Sequence, residues 1–187
     1  MERTKNRVLP LGLISPNGAL SFGIFLSIIS IVLLYFSSNL FSAGLLGLTI
    51  FYYVFIYTIW LKKITPQNIV IGGAAGAFPP LIGWSAVTGS LSIEIFIVFL
   101  LIFLWTPPHF WSLALYKSED YKKAGIPMMP LVVGNKSTIN MIIYYSLSLL
   151  VVTLILSFYY SLFFAILGLV LSSIFVYLSI NLRRFID

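Results

Sequence analysis

Charge is what this 187-residue chain has least of. Asp, Glu, Lys and Arg make up 9% of it, against about 25% in an ordinary water-soluble domain. Cysteine is missing altogether, which excludes disulfides, cysteine-ligated zinc, iron–sulfur clusters and thioether-linked haem. There is one histidine, His109, and there are five acidic residues. What fills the chain instead is apolar: 60% hydrophobic residues and a mean hydropathy of +1.05. Such a chain cannot stay in water as a globule, so it reads as an integral membrane protein.

The formal charge of +6 comes from eleven Lys and Arg, and their placement decides what it means. They lie in short clusters between long apolar runs, a pattern of membrane orientation and not of a basic face, so no nucleic acid is expected as a partner. Six runs are long enough to cross the hydrocarbon core, near 19–37, 40–61, 67–88, 91–116, 138–159 and 161–182. Backbone in lipid must bond to itself, so these runs predict an all-α bundle occupying 1–187 as a single membrane domain in the lipid bilayer.

The connections sort into two sets. The turns at Ser37-Ser38-Asn39, Thr88-Gly89-Ser90 and Tyr159-Tyr160-Ser161 carry no charge, whereas every Lys and Arg falls on the other side: residues 1–18, Lys62-Lys63, the loop 117–137 and Arg183-Arg184. Positive residues stay inside, so both termini are expected on the cytoplasmic (or matrix) side of a plasma, inner or mitochondrial inner membrane. The uncharged turns are too short to build a site, which leaves the inner face and its long loop.

The stretch from Trp105 to Pro130 concentrates what chemistry the chain offers. Pro107-Pro108 are expected to break the fourth segment, matching Pro79-Pro80 in the third, and to splay the bundle around a cavity. Thr65 and Pro66 predict the start of the third segment. Within it Gly72 with Gly76, and Gly73 with Ala77, lie four residues apart, which suits close helix packing or room beside a ligand. Past the prolines, helical spacing puts His109, Leu113, Tyr116 or Lys117, and Asp120 on one face. His109 fits an interfacial residue, a metal ligand, a carboxylate partner or a proton shuttle. Glu119 and Asp120, flanked by lysines, fit either a solvated charged loop or a hard-cation site, with Arg3, Arg7, Lys62, Lys63 and Lys122 neutralising phosphate. Two carboxylates alone make a thin magnesium site.

Several blocks taken together resemble a known family. They are Trp105-Thr106-Pro107-Pro108-His109-Phe110-Trp111, Asp120-Tyr121 with Ala124-Gly125-Ile126-Pro127-Met128-Met129-Pro130, the run from Thr65 to Trp84, and the basic segment Arg3 to Pro10. They are similar to the protoheme IX farnesyltransferases, or haem O synthases, of the intramembrane aromatic prenyltransferase superfamily. The resemblance implies a nine-helix membrane bundle around a central cavity, of which this chain holds six. It implies transfer of the farnesyl group of farnesyl diphosphate to a vinyl group of haem B, giving haem O on the way to haem A, with a downstream haem A synthase as a candidate partner.

The family holds its diphosphate through Mg²⁺ on two acidic motifs, and the region of Glu119 and Asp120 matches the second. The implied site then has Asp120 as a catalytic residue and Glu119 with Asp120 on the metal, and His109 is a further catalytic candidate read from its own place in the chain. Arg3, Arg7, Lys62, Lys63 and Lys122 face the diphosphate, and Gly72, Gly76, Pro79, Pro107 and Pro108 shape the pocket. The first motif, an Asn followed by two Asp, is expected just upstream of Arg3, so the sequence looks truncated at its start and at its end. Arg7-Val8-Leu9-Pro10 stands where the family has Arg-Pro-Leu-Pro. Two alternatives stay open: an inactive truncated homologue that binds haem or prenyl diphosphate, and a small membrane transporter.

Overall fold

A computed structural model describes residues 5–185, and among them every regular element is a helix. The expected crossings are all present as six helical segments of sufficient length and apolarity: Pro16–Ser37, Leu40–Lys63, Asn68–Thr88, Ile93–Tyr116, Asn135–Ser157 and Leu162–Arg184. The protein is a multi-pass membrane protein. Arg3, named above among the charged positions, lies outside the described residues.

The first crossing, α1 (Pro16–Ser37), starts three residues earlier than its hydropathy suggests. Ser15 caps it by accepting from the Gly18 N–H, and Pro16 takes the first turn, where no N–H is required. α2 (Leu40–Phe51) is capped by Asn39, whose Oδ1 accepts from the Ser42 N–H at 2.8 Å. The same side chain donates through Nδ2 to the Ser85 carbonyl at 2.8 Å, tying the turn between the first two crossings to α4 (Pro79–Thr88).

The second crossing does not continue as an α-helix. Tyr52–Trp60 is wound as a π-helix and Leu61–Lys63 as a 3₁₀ turn. Long π stretches are rare and collect at functional sites. The Thr58 hydroxyl donates to the carbonyl of Tyr53, five residues back, and the Tyr52 hydroxyl donates to the Ile71 carbonyl of α3 (Asn68–Ala77) at 3.0 Å.

The two proline pairs behave differently. Pro79 opens α4 after a one-residue break at Phe78, as expected. Pro107 and Pro108 do not break the fourth crossing: α5 runs unbroken over Ile93–Tyr116 with both rings fully buried. Where water is excluded, the remaining helical bonds outweigh those that proline removes. The Thr106 hydroxyl also donates to the Ile102 carbonyl at 2.8 Å, supplying that turn with a side-chain donor.

α5 ends at Tyr116, and Lys117 turns the chain with φ −111°. Asp120 therefore lies on a separate short helix, α6 (Ser118–Lys123), and does not continue the face of His109 and Leu113. Nor is the loop 117–137 unstructured. α6 is followed by α7 (Met129–Val133), and α8 (Asn135–Ser157) begins at the Gly134 turn. Met128, Met129 and Pro130 are buried, with Met129 packed against Trp111 of α5 and Ile142 of α8. The acidic loop is thus plugged into the bundle at its far end.

α5 packs mainly on α8 and α3, and α8 packs on α9 (Leu162–Asn181). The α8–α9 seam is held by polar pairs in an apolar surround. Ser146 and Ser179 hydroxyls meet at 2.9 Å, and Ser172 donates to Thr153 at 3.2 Å. Gly168 lets Thr153 approach its backbone, since a Cβ there would lie 2.9 Å from the threonine methyl.

Candidate functional site

Between the π-helical stretch, α3 and α5 lies a cavity of about 340 Å³, a size usual for small-molecule sites. One wall is aromatic: Tyr53 and Tyr57 from the π-helix face Trp105 and Phe110 from α5. The other is bare backbone at Gly72, Gly73 and Gly76. Apart from hydroxyls of Tyr and Thr106 the lining is apolar, so the space suits an uncharged chain.

The three glycines do different jobs, and their neighbours separate the packing role from the room-making role. At Gly72 a Cβ would lie 2.7 Å from the Tyr57 ring, and at Gly73 one would lie 2.9 Å from the Thr106 methyl. Those two glycines permit close packing. At Gly76 a Cβ would meet nothing within 4 Å. Gly76 is about 12 Å along α3 from Asn68 at 1.5 Å per residue, so the open space lies towards the membrane interior.

The opposite end of the cavity is the basic one. The Lys62 ammonium sits 5.8 Å from the centre of the Tyr57 ring, within cation–π range. Asn68 donates through Nδ2 to the carbonyls of both Lys62 and Pro127, which brings the loop that carries the acidic pair to the same end. Lys63, Lys122 and Glu119 are exposed there and Asp120 is partly buried. Arg7 stands on the exposed segment before α1 and does not line the cavity; Arg3 lies outside the described residues.

The remaining expected site residues divide. Gly72 and Gly76 line the cavity, whereas Pro79, Pro107 and Pro108 do not. His109 is exposed, with its ring stacked on Trp105 at 4.4 Å and 17°, so it sits one ring removed from the lining.

Three features were not singled out from the sequence: Tyr53 and Tyr57, the π register that points them inward, and Asn68. Asn68 is 1% exposed. Its Nδ2 donates to the carbonyls of Lys62 at 3.3 Å and Pro127 at 3.5 Å, while its Oδ1 has no partner. The readable signal was an amide side chain at the head of an apolar glycine-rich helix, where burial requires hydrogen bonding. α3 itself begins at Asn68 and not at Thr65; the Thr65 hydroxyl accepts from the Gln67 N–H at 3.2 Å in a turn ahead of the helix.

Among the described residues no group of three or more His, Asp and Glu side chains gathers to hold a metal. Glu119 and Asp120 do not form a closed protein cage. As a donor set they fit a hard cation that takes its other ligands from phosphate oxygens and water, the usual manner of magnesium.

Comparison with known proteins gives a consistent result. The UbiA prenyltransferase family model matches residues 1–187. The protoheme IX farnesyltransferase of Parvibaculum lavamentivorans is 56% identical over 84% of this chain and 50% of its own length. That of Agrobacterium fabrum is 54% identical over 98% of this chain and 59% of its own, and that of Rhizobium johnstonii is 50% identical over 100% and 60%. The chain thus spans about half the length of the curated relatives it matches. No solved structure matches it.

Proposed function

The chain belongs to the UbiA prenyltransferase family, and from that premise we propose that it takes part in farnesyl transfer from farnesyl diphosphate to a vinyl group of haem B. The observation that carries this reading is the polarity of one cavity. An apolar, aromatic-walled space runs from Gly76 to a mouth where Lys62 and the loop after α6 converge through Asn68. A molecule with an apolar tail and an anionic head fits such a gradient. The relatives named protoheme IX farnesyltransferase support a farnesyl tail and a haem acceptor.

In this reading the diphosphate lies at the inner mouth, where Lys62, Lys63 and Lys122 offset its charge. Arg7, on the basic segment before α1, would add its charge to theirs only from outside the cavity lining. Glu119 and Asp120 would hold Mg²⁺ together with phosphate oxygens, and the ion would supply further charge neutralisation to the leaving group. The C1–O bond of the farnesyl group breaks with its electron pair departing on diphosphate. The vinyl π electrons of haem B form the new carbon–carbon bond, and water supplies hydroxide to the cation left beside the macrocycle, releasing a proton.

Tyr53, Tyr57 and Trp105 offer ring faces to the developing allylic cation and exclude water from it. His109, stacked on Trp105 and absent from the cavity lining, is assigned to the haem side of the site. In this reading the mouth and both termini lie on the cytoplasmic or matrix side, which the positive-inside pattern of the basic connections supports.

The test is direct. The chain in lipid nanodiscs is incubated with haem B, farnesyl diphosphate and Mg²⁺, and the pigment is read by mass spectrometry. Appearance of haem O supports the proposal; unchanged haem B together with no binding of a farnesyl thiolodiphosphate analogue overturns it.

A further inference from the structure

Asn68 holds an expensive position. It is buried at 1% exposure with an unpaired Oδ1, and an unsatisfied buried acceptor is costly where an apolar side chain of similar size would not be. What the amide gains in return is a link that an apolar residue cannot make. Its two Nδ2 hydrogens go to carbonyls on two separate inner connections: Lys62, in the turn that ends the second crossing, and Pro127, in the loop that carries Glu119 and Asp120. The Asn68 N–H is itself bonded to the Thr65 carbonyl at 3.2 Å, so the side chain is held at the first turn of α3. Met128 and Met129, directly after Pro127, are each 1% exposed, which makes the linked point of the loop a fixed one.

We propose that Asn68 is a positioning residue, a buried clamp that sets the separation between the Lys62–Lys63 turn and the acidic loop and thereby forms the diphosphate-binding mouth. This rests on the function proposed above. Asn68 touches no substrate in it. Its free Oδ1 is an acceptor and would repel phosphate oxygens, and the side chain is enclosed by this chain's own residues. It acts through the carbonyls of Lys62 and Pro127. Holding the lysines and the carboxylates at a fixed distance matters because diphosphate and its cation must be met together.

The lack of cysteine makes the clamp measurable without any activity. Exposed Ile64 and Lys123 are replaced by cysteine and spin-labelled in the full chain in nanodiscs. The distance distribution between the labels is then compared with Asn68 present and in the Asn68→Leu and Asn68→Gln forms. Asn68→Gln keeps the amide donors and serves if Asn68→Leu does not fold. The expected result is one narrow distribution with Asn68, a broadened or shifted one with Asn68→Leu, and partial recovery with Asn68→Gln.

On the unlabelled chain, Asn68→Leu should weaken binding of farnesyl thiolodiphosphate about tenfold while leaving haem B binding unchanged, a split that general destabilisation would not produce. An unaltered label distribution in Asn68→Leu, or in Asn68→Gln a distribution as broad as that of a chain lacking the amide, overturns the clamp. Failure of the unsubstituted chain to bind the analogue overturns the functional reading and with it the positioning role, whatever the labels report.

Discussion

Gly73 of α3 and Thr106 of α5 lie so close that a single added methyl on the glycine would stand 2.9 Å from the threonine methyl. Three residues on, Gly76 faces empty space. Both glycines have ordinary negative φ, so the difference between them is one of neighbours and not of backbone. Gly73→Ala should therefore destabilise the bundle by about 1–3 kcal/mol through overpacking. Gly76→Ala should leave stability within about 1 kcal/mol of unchanged. Denaturation of the two variants in mixed micelles separates the roles; equal losses would show that Gly76 is a packing residue too.

The α8–α9 seam offers a second stability test. The Ser146 and Ser179 hydroxyls are bonded at 2.9 Å and both residues are buried. Interhelical hydrogen bonds of this type are worth about 0.6 kcal/mol in membranes. Ser146→Ala and Ser179→Ala are each expected to cost that order, and the double variant should cost less than the sum, because the two lose the same bond. Strict additivity in a double-mutant cycle would contradict the contact.

Orientation follows from the charges. A reporter fused after Ser38 should read as non-cytoplasmic, and one fused after Lys123 as cytoplasmic. The reverse pair would move the basic mouth to the other face of the membrane and remove the argument for a diphosphate there.

Within the proposed site, Asp120 and His109 predict different defects. Asp120→Asn removes a charged ligand and should abolish haem O formation while haem B still binds. His109→Ala should weaken haem B binding and leave affinity for the farnesyl thiolodiphosphate analogue intact, since His109 stacks on Trp105 and does not itself line the cavity. Near-normal conversion by Asp120→Asn would remove the metal role, and unchanged haem affinity in His109→Ala would return it to an interfacial aromatic.

The crossings were legible in the sequence because length and apolarity alone define them in lipid, and the sorting of basic residues onto one set of connections was legible because charge is scarce enough to be informative. Local rules misled at Pro107-Pro108, where burial between α3 and α8 keeps α5 continuous. They misled again at Lys117, where the chain turns and takes Asp120 off the face of His109. The sorting of the glycines could not be read, since Gly72, Gly73 and Gly76 are identical in sequence and differ only in what the π-helix and α5 bring against them. The π register was equally hidden: it goes with long-range partners, the Tyr52 hydroxyl on the Ile71 carbonyl and the Tyr57 ring on Gly72. Asn68 was visible as a residue but not as a link, because Lys62 and Pro127 meet only in the folded chain.

The central claim is that the prenyl chain lies in the cavity between the π-helix, α3 and α5 with its head at the Lys62 mouth. A farnesyl diphosphate analogue bearing a photoreactive diazirine at the tail end tests this most directly, with the crosslinked peptide mapped by mass spectrometry. The account predicts labelling near Gly76, Ile102 and Tyr53, competed by farnesyl diphosphate and lost in Gly76→Leu, whose side chain would fill the space. Labelling confined to the lipid-facing helices α1 and α9, or unaffected by Gly76→Leu, would contradict it.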